Sequence, residues 1–138
     1  MELVIDSNIV MSALIRDSLT RKIILDSNHR FYAPEFLRNE IEKYEDLIGQ
    51  KANLNKSEVE TLVNLVIGEV EILPIESYES KIDKAEDLIG DEDIKDGPFL
   101  SVALHKECQI WSDDKDFEQQ EKVEVKTTEE IIELHREN

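Results

Sequence analysis

The chain has 138 residues, 40% of them hydrophobic, which suits one globular domain with a buried core. Its formal charge of −17 speaks against simple electrostatic attraction to nucleic acid, and no apolar run approaches the roughly 18 residues of a membrane span. Met1–Asp6 lacks the basic start and cleavage site of a signal peptide, and the single Cys108 excludes an internal disulfide, so a reducing, cytoplasmic setting is expected.

Leu3, Val4 and Ile5 run into Asp6 as a short buried strand over residues 2–6. Apolar stripes then predict helices over about 8–16 and 18–27, with a break near Asp17. Phe31-Tyr32-Ala33-Pro34 reads as a second strand ended by proline. A helix follows from Pro34 or Glu35 to about Ile48, with proline in its first turn and Gly49 as its stop. Ser57 and Glu60 have capping-box spacing ahead of an apolar helix that ends at Gly68. Val70, Ile72 and Leu73 alternate with Glu69 and Glu71 up to Pro74, which predicts a half-exposed strand. Residues 78–89 read as a helix closed by Gly90, and residues 91–97 as an acidic loop. Pro98 opens an apolar helix to about Lys106, and 109–112 is a buried strand. Val123 and Val125 suggest a last short strand, and Thr128–His135 a final helix.

Strands alternating with helices predict an α/β fold, with a mostly parallel central sheet sandwiched in three layers between helices. In such sheets chemistry gathers at the carboxyl ends of the strands. Four acidic clusters stand beside apolar stretches: Asp6, Glu40, Asp93/Asp96, and Asp113-Asp114-Lys115-Asp116. Carboxylates resist burial without a positive companion, and hard oxygen ligands point to Mg²⁺ or Mn²⁺ rather than zinc.

Each acid also has an ordinary explanation. Asp6 suits a helix N-cap, although Ser7 or Asn8 would release it from that duty. Glu40 shares its helix with Glu42 and Glu45, which are ordinary solvent-facing acids. Asp96 and Asp93 both sit where a carboxylate can cap or complement the helix that follows. Asp114 and Asp116, two apart after an apolar strand, fit either one cation or a solvated turn. Ser112 is placed to orient one of these carboxylates. No phosphate-binding glycine loop, Cys/His zinc pattern or Gly-x-Ser-x-Gly elbow is present. Cys108 reads as a buried, inert thiol. Residues 1–51 hold 7 Lys/Arg against 9 Asp/Glu, whereas residues 52–138 hold 9 against 24. That asymmetry fits either a solvated surface or a more basic rim beside an acidic centre.

Taken together, the motifs resemble those of PIN-domain proteins. Val4-Ile5-Asp6-Ser7-Asn8 is similar to the family's opening motif, and Glu40 in Phe36-Leu37-Arg38-Asn39-Glu40-Ile41 falls at its helical glutamate. Residues 96–104, Asp-Gly-Pro-Phe-Leu-Ser-Val-Ala-Leu, resemble its Asp-x-Pro-Phe-Leu-x-x-Ala-Leu helix. Residues 110–117 are similar to its closing Ser/Thr-x-Asp-x-Asp-Phe motif. The resemblance covers essentially the whole chain.

It implies metal-dependent cleavage of RNA by a cluster of Asp6, Glu40, Asp96 and Asp114, with Asp116 as a further metal ligand. Asn8 and Ser112 would support the cluster through hydrogen bonds, and Asp93 would fall outside the matched position. One or two Mg²⁺ or Mn²⁺ ions would activate a water for in-line attack on phosphorus, with Arg16, Arg21 or Arg38 contacting substrate phosphates. The resemblance points to a VapC-like toxin, commonly dimeric and inhibited by an antitoxin protein, or to an RNA-processing enzyme. The rival class is a non-catalytic, receiver-like Mg²⁺-binding module. A single Asp followed by Ser-Asn in the first strand speaks against it, because a receiver pairs an early acidic doublet with a later acceptor.

Overall fold

The computed structural model describes residues 1–16, 18–90 and 96–136. Its strands are β1 (Glu2–Ile5), β2 (Arg30–Pro34), β3 (Val70–Leu73), β4 (Gln109–Trp111) and β5 (Val125–Lys126). They form one parallel sheet in the order β3-β2-β1-β4-β5. Val4 in the central β1 lies between Tyr32 of β2 and Ile110 of β4. Leu3, Val4 and Ile5 are fully buried, as a parallel strand covered on both faces requires.

Helices α1 (Ser7–Ile15) and α2 (Ser18–Asp26) join β1 to β2, and α3 (Phe36–Lys43), α4 (Glu45–Ala52) and α5 (Lys56–Ile67) join β2 to β3. Helices α6 (Ile75–Tyr78), α7 (Ile82–Ile89) and α8 (Gly97–Lys106) lead back to β4, and α9 (Thr128–Arg136) follows β5. Right-handed crossovers place helices on one face while the chain steps outward from β1 to β3, and on the other face when it crosses to β4. Accordingly α1 packs against α2, α3, α4 and α5, while α8 lies over β1, β2 and β4. The winding reverses between β1 and β4, and the crevice above that switch point is where such sheets bind ligands.

The helix expected from Pro34 or Glu35 to Ile48 is two helices, broken at Tyr44 (φ −110°, ψ 12°). Gly49 does not stop it. The stop is Asn53 in the left-handed region (φ 58°), while a Cβ on Gly49 would stand 3.0 Å from the Leu54 carbonyl oxygen. Glycine is there for close approach of the backbone. The capping box lies two residues before the expected pair. Asn55 Oδ1 accepts from the Glu58 amide (2.8 Å), and Glu58 Oε1 accepts from the Asn55 amide (3.0 Å). Asparagine caps as well as serine, so the helix starts earlier.

The helix expected over 78–89 begins instead as α6, passes through a 3-10 turn at Glu79–Lys81 and continues as α7. Gly90 closes it with φ +77°, as its composition predicts. A 3-10 turn at Lys115–Gln119 after β4 was not expected. Asp17 and the acidic stretch at 91–95, including Asp93, lie outside the described residues.

Candidate metal centre at the carboxyl ends of the sheet

Asp6 leaves β1 with its amide donating to the Trp111 carbonyl of β4 (3.2 Å). It occupies the N-cap position of α1, yet its carboxylate makes no capping hydrogen bond. Asp6 is only 4% exposed, and its Oδ2 accepts from the Ser112 hydroxyl at 2.8 Å. The same Ser112 oxygen accepts the Asp114 amide (3.0 Å), and Asp114 Oδ1 accepts the Asp116 amide (2.9 Å). Ser112 is itself anchored by its amide to the Lys126 carbonyl (3.0 Å). One chain of hydrogen bonds therefore sets three acids relative to one another.

Asp96 stands at the N-cap position of α8, ahead of Pro98 in the first turn, and is buried. It makes no side-chain capping bond to that helix. Asp96, Asp114 and Asp116 each bring one carboxylate oxygen within 4.8 Å of the others. Asp6, Glu40, Asp96 and Asp114 line a single cavity of about 350 Å³ together with Ser7 and Asn8. Four separate stretches of sequence thus meet at the switch point.

Burial is the main reason the Asp6 carboxyl is pushed up to about 6, and the negative charge of Asp114 adds to it. The Ser112 hydroxyl and the amides of Ser7 and Asn8 at the start of α1 pull the other way. Gathering buried and half-buried carboxylates is unfavourable unless positive charge accompanies them. An all-oxygen donor set of this kind suits a hard divalent cation such as Mg²⁺ or Mn²⁺.

A profile of the PIN domain matches residues 4–135, from β1 through α9 and across all of these acids. The chain belongs to the PIN-domain family. The fold of this PIN domain is similar to that of a chain in the crystal structure of VapBC2 from Rickettsia felis bound to a DNA fragment from their promoter. That likeness has a TM-score of 0.67 at 12% identity and covers 92% of this chain and 98% of the other. At such identity the likeness is one of fold. No curated protein matches the sequence.

Not every acid near the centre of the PIN domain faces the cavity. Asp113 accepts the Thr128 amide (2.7 Å) and hydroxyl (2.6 Å), which ties the start of α9 to the end of β4. Thr128 Oγ1 in turn accepts from Trp111 Nε1 (3.0 Å). Among the three arginines singled out by sequence, Arg21 donates Nε to the Ala13 carbonyl (2.8 Å) and so braces α1 against α2. Arg16 and Arg38 are exposed, and none of the three is among the residues lining the cavity.

Sequence reasoning passed over the apolar members of the cavity: Met11, Phe36, Tyr44, Leu47 and Phe99. Ser7 Oγ, on another residue of the lining, is buried without a hydrogen-bond partner among the described residues. Phe36, Glu40, Tyr44 and Leu47 follow one another at intervals of four, four and three residues, the spacing of one helix face. The PIN domain has a larger concavity of about 620 Å³ at the opposite strand ends, beside Cys108. Lysines 81, 84 and 122 are offset there by glutamates 2, 107 and 124. Cys108 is half-buried rather than buried, and desolvation pushes its thiol up to about 11, which favours the protonated form at neutral pH.

Proposed function

We infer that this PIN domain is a Mg²⁺- or Mn²⁺-dependent ribonuclease that hydrolyses RNA phosphodiesters. The observation that carries this reading is the convergence of the Asp96, Asp114 and Asp116 carboxylate oxygens within 4.8 Å, with Asp96 and Asp114 sharing one cavity with buried Asp6 and with Glu40. Asp6, Glu40, Asp96 and Asp114 would hold the cation, with Asp116 as a further ligand, and Ser112 and Asn8 would keep the cluster in place. When bound, the cation supplies charge neutralisation, polarises the phosphoryl oxygens and lowers the pKa of water.

The cluster positions the phosphodiester so that the oxygen of water attacks phosphorus in line. The P–O3′ bond then breaks, leaving a 5′-phosphate and a 3′-hydroxyl. The attacking water gives its proton to solvent, and the departing O3′ takes one up. Because water is the nucleophile, no protein nucleophile is required.

Within the nuclease class we favour the toxin of a toxin–antitoxin pair, because the chain shares its fold with a VapBC2 component. On this reading the chain is one PIN domain acting in the cytoplasm as a homodimer, with an antitoxin protein covering the acidic cavity. No helix among the described residues is long and apolar enough to cross a membrane. The receiver-like alternative gains no support from the family match.

Pure protein incubated with mixed RNAs should cleave them in Mn²⁺, stop in EDTA, and lose activity in Asp114→Asn. Cleavage that persists in EDTA would remove the metal-dependent mechanism.

A further inference from the structure

The acids occupy only part of the cavity. Met11, Phe36, Tyr44 and Leu47 share it with them, and a phosphodiester has no use for such a wall. The Phe36 ring stands edge-on to the buried Phe99 ring at 6.4 Å, which fixes its orientation. Tyr44 sits at the break between α3 and α4, half-buried, with Lys43 Nζ 5.4 Å from its ring centroid. Leu47 is 38% exposed although it stands beside carboxylates. Ser7 Oγ, in the lining at the start of α1, has no hydrogen-bond partner among the described residues.

Charge narrows the ligand. With a formal charge of −17, long-range attraction to phosphates is weaker than in ordinary nucleic-acid binding. Stacking of a base on an aromatic ring does not depend on that charge, and every base has a face to offer. The cavity, about 350 Å³, lies at the small end of ligand pockets. It admits one unstacked nucleotide and excludes a duplex, whose bases are covered by their neighbours.

We propose that the apolar half of the cavity is a base-binding subsite. A single nucleobase of single-stranded RNA, next to the scissile phosphate, stacks on Tyr44 beside Phe36 and Leu47. Lys43, held at the Tyr44 ring, serves the flanking phosphate. The inference rests on the ribonuclease reading only for where the phosphate lies.

The test uses short single-stranded RNAs carrying 2-aminopurine at successive positions, with Ca²⁺ present to shield the acids. Stacking quenches the fluorescence of this base. Quenching should occur at one position, vanish in Tyr44→Ala and persist in Tyr44→Phe. In Mn²⁺, replacing the base at that position by an abasic site should lower kcat/KM about tenfold, and Tyr44→Ala should erase that difference. Leu47→Ser, at a partly exposed position, gives a second variant with the same expected loss should Tyr44→Ala fail to fold.

Cleavage with no quenching at any position, and equal rates on base-bearing and abasic RNA, overturns the subsite and leaves the nuclease reading standing. Tyr44-dependent quenching without cleavage in any divalent cation supports the subsite and overturns the nuclease reading. Neither signal overturns both.

Discussion

The Ser112 hydroxyl donates to Asp6 Oδ2 across 2.8 Å, joining residues 106 positions apart at the carboxyl ends of β1 and β4. The bond spans the point where the sheet reverses its winding. Because Ser112 Oγ also accepts the Asp114 amide, one hydroxyl sets the relative position of two carboxylates. Removing it affects both acids at once.

Ser112→Ala should therefore lower stability by about 1–3 kcal/mol, since a buried carboxylate and an amide lose a partner together. The Ser112 bond holds the Asp6 carboxyl down against burial, so the variant should titrate Asp6 at still higher pH. The pH midpoint of Mn²⁺ binding should rise with it. A binding midpoint unchanged from the parent would show that the bond does not tune the site.

Asp6→Asn should abolish Mn²⁺-dependent RNA cleavage while leaving the far-UV spectrum intact. Stability of the metal-free protein should move the opposite way. The Asp6 carboxyl is raised from 3.8 to about 6 in the folded state, so the folded protein binds more protons than the unfolded chain between those values. Stability then falls as pH rises through that window, by about 3 kcal/mol in total. Asparagine carries no such penalty. Metal-free Asp6→Asn should melt higher than the parent at pH 7.5, by about 5 °C or more, and no higher at pH 3.5.

On the proposed reading Asp6 ligates the cation as a carboxylate, so binding has to displace its proton. Affinity for Mg²⁺ or Mn²⁺ should be nearly flat above pH 7 and fall as pH drops through about 6. Calorimetry below pH 6, in two buffers of different ionisation heat, should register proton release. The cation should raise the melting temperature and EDTA should return it to the metal-free value.

Asp113 is the control among the acids. Its carboxylate is engaged with Thr128, so Asp113→Ala should cost about 1 kcal/mol through the lost cap of α9. Its Mn²⁺ affinity and cleavage rate should match those of the parent. A loss of metal binding comparable to that of Asp114→Asn would place Asp113 in the centre after all.

Much of this molecule is legible in its sequence because several signals are local. Leu3-Val4-Ile5 before Asp6, Pro98 at the start of α8 and Gly90 after α7 depend on hydrophobic run length, fixed proline φ and glycine at positive φ. These operate within a few residues. The errors arose where a local rule had competitors. Asn55 took the cap that Ser57 also fits, and Tyr44 interrupted a helix that Gly49 was expected to end.

What the sequence determined by itself is the alternation of strands and helices, the family, and the set of acids at strand and helix ends. Tertiary structure decided their relations. It joined the Asp6 carboxylate to Ser112, sent Asp113 to Thr128 and grouped Asp96 with Asp114 and Asp116. It also tied Arg21 to a backbone carbonyl and set Tyr44 and Leu47 beside the carboxylates. Burial and long-range hydrogen bonds are properties of the folded chain, and no spacing along a sequence states which side chain will face which.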